Sequence, residues 1–163
     1  MSELPLLTEI DLPAEGDTVR LGGALAALAQ PGDVIALNGP LGAGKTTLAR
    51  GFITALTTVD EDVVSPTFTL VQVYDASSSD HGAPIWHFDL YRLNGAEDVL
   101  ELGWDEALSG GISLVEWPER LGALLPRHRL DVVLSSIPGS NERRAALHGG
   151  AQWKDRIADM KHD

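Results

Sequence analysis

Residues Gly39-Pro40-Leu41-Gly42-Ala43-Gly44-Lys45-Thr46 spell G-x-x-x-x-G-K-[ST], and few eight-residue stretches restrict a fold so tightly. The pattern cradles phosphate only where a buried strand runs into it and a helix leaves it. Both neighbours are legible here. Asp33–Asn38 is a short apolar run suited to a parallel strand covered on both faces. Lys45–Leu56 reads as a helix ended by a Thr-rich turn. Glycines let the loop turn with its N–H groups inward, where a side chain would block a phosphate. The helix start adds the positive end of its dipole. In such a cradle Lys45 reaches β- and γ-phosphates, the Thr46 hydroxyl ligates Mg2+, and Thr47 is placed for the α-phosphate.

Around this loop the chain alternates strand and helix signals. Glu15–Ala29 carries Val19, Leu21, Leu25 and Leu28 at helical spacing and stops at Gln30-Pro31-Gly32. Phe68–Tyr74 and Pro84–Asp89 read as strands that pair across the polar run Ser77–Gly82. Ala96–Leu108 looks helical with a break at Gly103, and Ile112–Glu116 is another short apolar strand. Leu130–Leu134 and the weaker Arg144–Leu147 are further strands. Trp153, Ile157 and Met160 fall at i, i+4, i+7, so an amphipathic helix is expected at the C-terminus. This order predicts an α/β fold, a three-layer sandwich of P-loop NTPase type around a mixed, mainly parallel sheet. At 163 residues, one domain over 1–163 is expected.

Composition narrows the function classes. Residues 1–119 hold nineteen acids against four bases, whereas 120–163 hold eight bases against five acids. So acidic a chain repels phosphate backbones, which argues against free nucleic acid as its main partner. The basic segment, with Arg127, Arg129 and Lys154, is the region expected to meet RNA or an acidic partner face. The absence of cysteine removes disulfides, thiolate metal sites and a cysteine nucleophile. No apolar stretch approaches the ~18 residues of a membrane span, and Met1–Asp11 lacks the succession of a signal peptide. A cytoplasmic location with no membrane partner is expected.

A nucleoside triphosphate site also needs acids for magnesium and for the attacking water. Two stand at the C-terminal ends of expected strands, where α/β sheets place ligands: Asp89 after Ile85-Trp86-His87-Phe88, and Glu116 after Ile112-Ser113-Leu114-Val115. Ser65-Pro66-Thr67 follows the phosphate-binding helix, where other P-loop proteins keep a γ-phosphate-sensing loop. His81 and His87 are expected as surface or cross-strand residues, since no second ligand stands at metal spacing. Trp117 is expected to pack rather than to offer a stacking platform. Arg92 would either neutralise transition-state charge or pair with Glu97 or Asp98.

Taken together, Leu41–Thr47, Ser65–Val71, His87–Leu93 and Val115–Arg120 resemble, in order and spacing, the TsaE (YjeE) family. The resemblance runs from about residue 12 to about residue 150, leaving 150–163 as a variable tail. It implies a P-loop ATPase of the bacterial machinery that places threonylcarbamoyl on adenosine beside the tRNA anticodon. By the same likeness, the ATPase would reset or activate a TsaD–TsaB complex, meeting tRNA only through it, and would not form the modification itself. Carried over residue by residue, Gly42, Ala43, Gly44, Lys45, Thr46 and Thr47 would wrap ATP (ADP as product). Thr46, Glu116 and Asp89 would serve Mg2+, and Thr67 would lie in the switch-like loop. Glu15 and Thr18 would stand near the nucleotide base, and either Arg143 or Arg144 would be the C-terminal arginine close to the nucleotide.

Two other classes carry a P-loop. A small-molecule kinase would add an arginine-rich lid, yet between Arg50 and Arg120 the only arginine or lysine is Arg92. A nucleotide-gated binding module with negligible turnover would use ATP only to set its shape. No N-K-x-D motif supports guanine selectivity.

Overall fold

The computed structural model describes residues 2–57, 69–76 and 82–160. In chain order the elements are β1 Leu6–Leu12, α1 Glu15–Leu28, β2 Val34–Asn38, α2 Lys45–Leu56, β3 Val71–Tyr74, β4 Ile85–Asp89, α3 Trp104–Gly110, β5 Ile112–Glu116, β6 Leu130–Ser136, β7 Arg143–His148 and α4 Ala151–Ala158. The loop holding Ser65 and Thr67 lies outside the described residues, as does most of the Ser77–Gly82 run.

All seven strands join one sheet in the order β1-β7-β6-β2-β5-β4-β3. The four central strands, β6, β2, β5 and β4, run parallel. Antiparallel pairs close both edges, β3 on β4 at one side and β6-β7-β1 at the other. The expected α/β sandwich is therefore observed, with a mixed sheet. β2 and β5 are apolar nearly throughout because helices cover both of their faces.

Alternation along the strands splits the core in two. Ile35, Leu37, Ile112 and Leu114 face Leu25, Leu48 and Phe52 of α1 and α2, together with Trp153 and Ile157 of α4. Val34, Phe88 and Val115 face Val99, Trp104 and Leu121 on the other side. There Phe88 meets Trp104 edge-on, with ring centroids 5.1 Å apart. Each such side chain contributes about 1.5–3 kcal/mol on burial.

Helices α1 and α2 touch backbone to backbone. A Cβ on Gly22 would lie 2.3 Å from the Leu48 carbonyl oxygen, and one on Gly51 would lie 2.2 Å from that of Val19. Only glycine fits at either position.

Two expectations change, and one strand is new. Leu6–Leu12 forms an edge strand. The helical stretch Ala96–Leu108 breaks at Gly103, φ 94, as expected, but the part before the break, Ala96–Leu102, is 3-10 and only α3 after it is α-helical. Arg129 is not part of a basic docking face: it is 6% exposed. Its Nε and Nη2 donate to the two Asp131 oxygens at 2.7 and 3.1 Å, and its Nη1 to the Pro126 carbonyl at 2.9 Å. The Ser2 hydroxyl donates to the same carboxylate at 2.6 Å, which ties the N-terminal segment to β6. Arg127 and Lys154 are exposed. Among the described residues no helix is long and apolar enough to cross a membrane.

Candidate active site

The C-terminal ends of β2, β5 and β4 open onto one cavity of about 760 Å³. Its floor is the loop from β2 into α2. Gly44 precedes that helix at φ 104, a left-handed conformation that a side chain would strain. Lining residues include Gly42, Gly44, Lys45, Thr46 and Thr47 from the loop and helix, Glu15 and Thr18 from α1, Asp89, Glu116 and Arg143. The expected residues outside Thr67's undescribed loop thus converge, with two exceptions. The Ala43 methyl is buried in the core and its N–H donates to the Pro40 carbonyl at 3.2 Å. Arg144 points elsewhere, donating from Nε to Asp11 Oδ1 at 3.0 Å. That bond holds the Arg144 guanidinium above its ordinary pKa.

The two arginines part because neighbouring residues on a strand face opposite ways. Arg143 turns to the cradle and donates from Nη2 to the Gly42 carbonyl at 3.1 Å. The Glu15 carboxylate accepts from Arg50 Nη2 at 2.8 Å, tying the start of α1 to α2.

Lys45 is buried. Its Nζ donates to the Gly39 carbonyl at 2.6 Å and sits 3.3 Å from the centroid of the Trp117 ring. Burial pushes the ammonium below its ordinary value of 10.5, opposed by the nearby Glu116, Glu119 and Asp89 carboxylates. Trp117 therefore does more than pack. It lines the cavity at φ 60, with Tyr91 against its ring at 4.8 Å between centroids. A tryptophan directly after a strand-end acid was the available signal. Leu41, a variable position of the phosphate-loop motif, also lines the cavity, as do Pro13, Ala14 and Asn141, which no motif marks.

Asp89 and Glu116 are direct neighbours in the β4–β5 register and both are buried. The Thr46 hydroxyl lies 3.1 Å from each Glu116 oxygen. A hydroxyl and two carboxylates clustered beside a phosphate cradle suit a hard cation that keeps several waters, as Mg2+ does. Thr46 and Glu116 would hold it, with Asp89 alongside. Among the described residues no group of three or more His, Cys, Asp or Glu forms a protein-only metal cage, a motif that Mg2+ does not require. His87 is fully buried and cross-strand, its Nε2 2.7 Å from Glu116 Oε2.

A phosphate-type loop at the C-terminal edge of the central parallel strand, flanked by strand-end acids, is the architecture of P-loop nucleotide-binding proteins. The model of the family described as threonylcarbamoyl adenosine biosynthesis protein TsaE matches residues 12–145. The chain belongs to the TsaE family. The tRNA threonylcarbamoyladenosine biosynthesis protein TsaE of Rickettsia conorii is 39% identical over 83% of this chain and 75% of its own. The Bacillus subtilis protein of that name is 40% identical over 78% of this chain and 76% of its own. In three dimensions the chain is similar to the crystal structure of Bacillus subtilis YdiB. The TM-score is 0.76 at 30% identity, covering 98% of this chain and 96% of that one.

Proposed function

We propose that this chain binds ATP with Mg2+ in the cavity and hydrolyses it to ADP in support of tRNA threonylcarbamoyladenosine formation. The observation that carries the reading is the Thr46–Glu116 contact at the mouth of the phosphate loop, with Asp89 beside it in register. Loop amides at Gly42 and Gly44 and the start of α2 would cradle the phosphates, with Thr47 toward the α-phosphate. Lys45 would leave Gly39 and Trp117 for the β- and γ-oxygens. The Mg2+ ion, when bound, supplies positive charge against the phosphate oxygens. Glu116 and Asp89 orient the hydrated site and the attacking water, whose oxygen bonds to the γ-phosphorus as the bond to the ADP oxygen breaks and whose proton leaves with the phosphate product. Glu15, Thr18 and Arg143 line the cavity beside the phosphate loop, and the family likeness supports Glu15 and Thr18 as the residues nearest the nucleoside. Thr67 remains assigned by resemblance to the γ-phosphate-sensing loop.

The family likeness supports TsaD and TsaB as partners and a resetting or activating role in their complex. Reconstitution of the tRNA modification with and without this chain, counting turnovers per complex, tests the whole reading. Loss of multiple turnover without the chain is expected. With Lys45→Ala nucleotide binding should fail, whereas Glu116→Ala should bind and turn over slowly. Phosphate release indifferent to partners, accompanied by phosphorylation of a metabolite, would replace this reading with a kinase.

A further inference from the structure

His87 has no part in the machinery above and does not line the cavity. It stands on β4 two residues before Asp89, so both side chains leave the same face of the sheet. The parallel register places Asp89 opposite Glu116 and His87 opposite Leu114. From there the imidazole reaches diagonally to Glu116 Oε2 at 2.7 Å. An ionised Glu116 only accepts, and with it the proton of this bond is on Nε2. Nδ1 is buried and has no hydrogen-bond partner among the described residues. On this face Ile85, Ile112 and Leu114 are all apolar. A leucine at position 87 would extend that face without leaving a polar atom unmatched. The imidazole accepts that cost while supplying one thing a leucine lacks, a donor to Glu116.

We propose that His87 is a positioning residue that fixes the Glu116 carboxylate for the metal-bearing nucleotide, a role that rests on the assignment of Glu116 above. Glu116 has two side-chain donors among the described residues, Thr46 and His87. The Thr46 oxygen is the atom that would turn to a cation. His87 is then the tether that stays, fully buried on β4 between β5 and β3. Losing it frees a long side chain among several rotamers, only some of which present an oxygen to the cavity.

The test compares His87→Leu, His87→Gln and His87→Asn in the full chain with its partner proteins present. The glutamine amide nitrogen occupies the place of Nε2, whereas the asparagine amide falls one bond short. His87→Leu and His87→Asn are expected to lower turnover about tenfold, and His87→Gln to recover most of it. Calorimetry supplies a second readout. Binding of ADP without Mg2+ should be unchanged in all three, while the gain in affinity on adding Mg2+ should shrink in the leucine and asparagine variants. In a Glu116→Ala background, His87→Leu should cause no further loss. Wild-type turnover in His87→Leu, or equal loss in leucine and glutamine variants, would overturn the proposal alone. Multiplying effects of His87→Leu and Glu116→Ala would do the same. If Glu116→Ala itself kept normal turnover and normal Mg2+ dependence, the underlying assignment would fall, and the tether with it.

Discussion

The Lys45 ammonium lies on the face of Trp117, 3.3 Å from the ring centroid. The cation that the phosphates need is thus held by a ring and by the Gly39 carbonyl. A cation–π contact of this kind is worth about 0.5–2 kcal/mol, so a phosphate draws the ammonium away at modest cost. Trp86, Trp104 and Trp153 are buried in the two cores, and none of them lines the cavity. Intrinsic emission should therefore change on saturation with ADP, and the change should vanish in Trp117→Phe. Unaltered emission in the wild-type chain at saturating nucleotide would contradict a ring that loses its cation.

Burial holds the Lys45 pKa below 10.5, which gives its charge a measurable signature in folding. Between the folded value and 10.5 the unfolded chain binds more protons than the folded one. Stability then rises with pH across that window. The urea midpoint of the wild-type chain should rise relative to that of Lys45→Met as the pH climbs toward 10.5. Nucleotide affinity should move the opposite way, falling as the ammonium is lost. Parallel stability curves for the two chains would show that burial does not penalise the charge.

Arg143 and Arg144 are adjacent in sequence and divide the work by strand geometry. Arg143→Ala should weaken ADP binding about tenfold, or ~1.4 kcal/mol. Arg144→Ala, which loses only the exposed pair with Asp11, should leave affinity and unfolding midpoint nearly unchanged. Calorimetry on the two variants separates them.

Arg129 illustrates how burial reverses a reading of charge. Arg129→Leu strands Asp131 in the interior and should destabilise the fold by about 3–5 kcal/mol, read by urea denaturation. Reversing Arg127 and Lys154 together, both exposed, should leave the midpoint within ~0.5 kcal/mol per site.

The parts of the site that depend on local chemistry were readable from residue order. Gly39–Thr46 between an apolar run and a helix, and apolar runs ending in Asp89 and Glu116, declare themselves without knowledge of pairing. The parts that depend on register were not. His87 meets Glu116 because β4 and β5 pair in parallel with Asp89 opposite Glu116, and nothing within either segment sets that alignment. Trp117 turns to the cavity through a left-handed backbone conformation unusual for a bulky residue. β1 escaped notice because Leu6–Leu12 lies at a half-exposed edge, with an irregular register to β7 between Leu6 and Thr8.

The glycine seam between α1 and α2 has a mechanical meaning. Pro13 to Thr18 stand at the start of α1, and the phosphate loop stands at the start of α2. With Gly22 against Leu48 and Gly51 against Val19, the two helices meet backbone to backbone, so main-chain contact rather than side-chain rotamers sets the spacing of the two cavity walls they begin. Asp89 and Glu116 face those walls from the sheet. A side chain at either glycine would have to part the walls before it met any nucleotide.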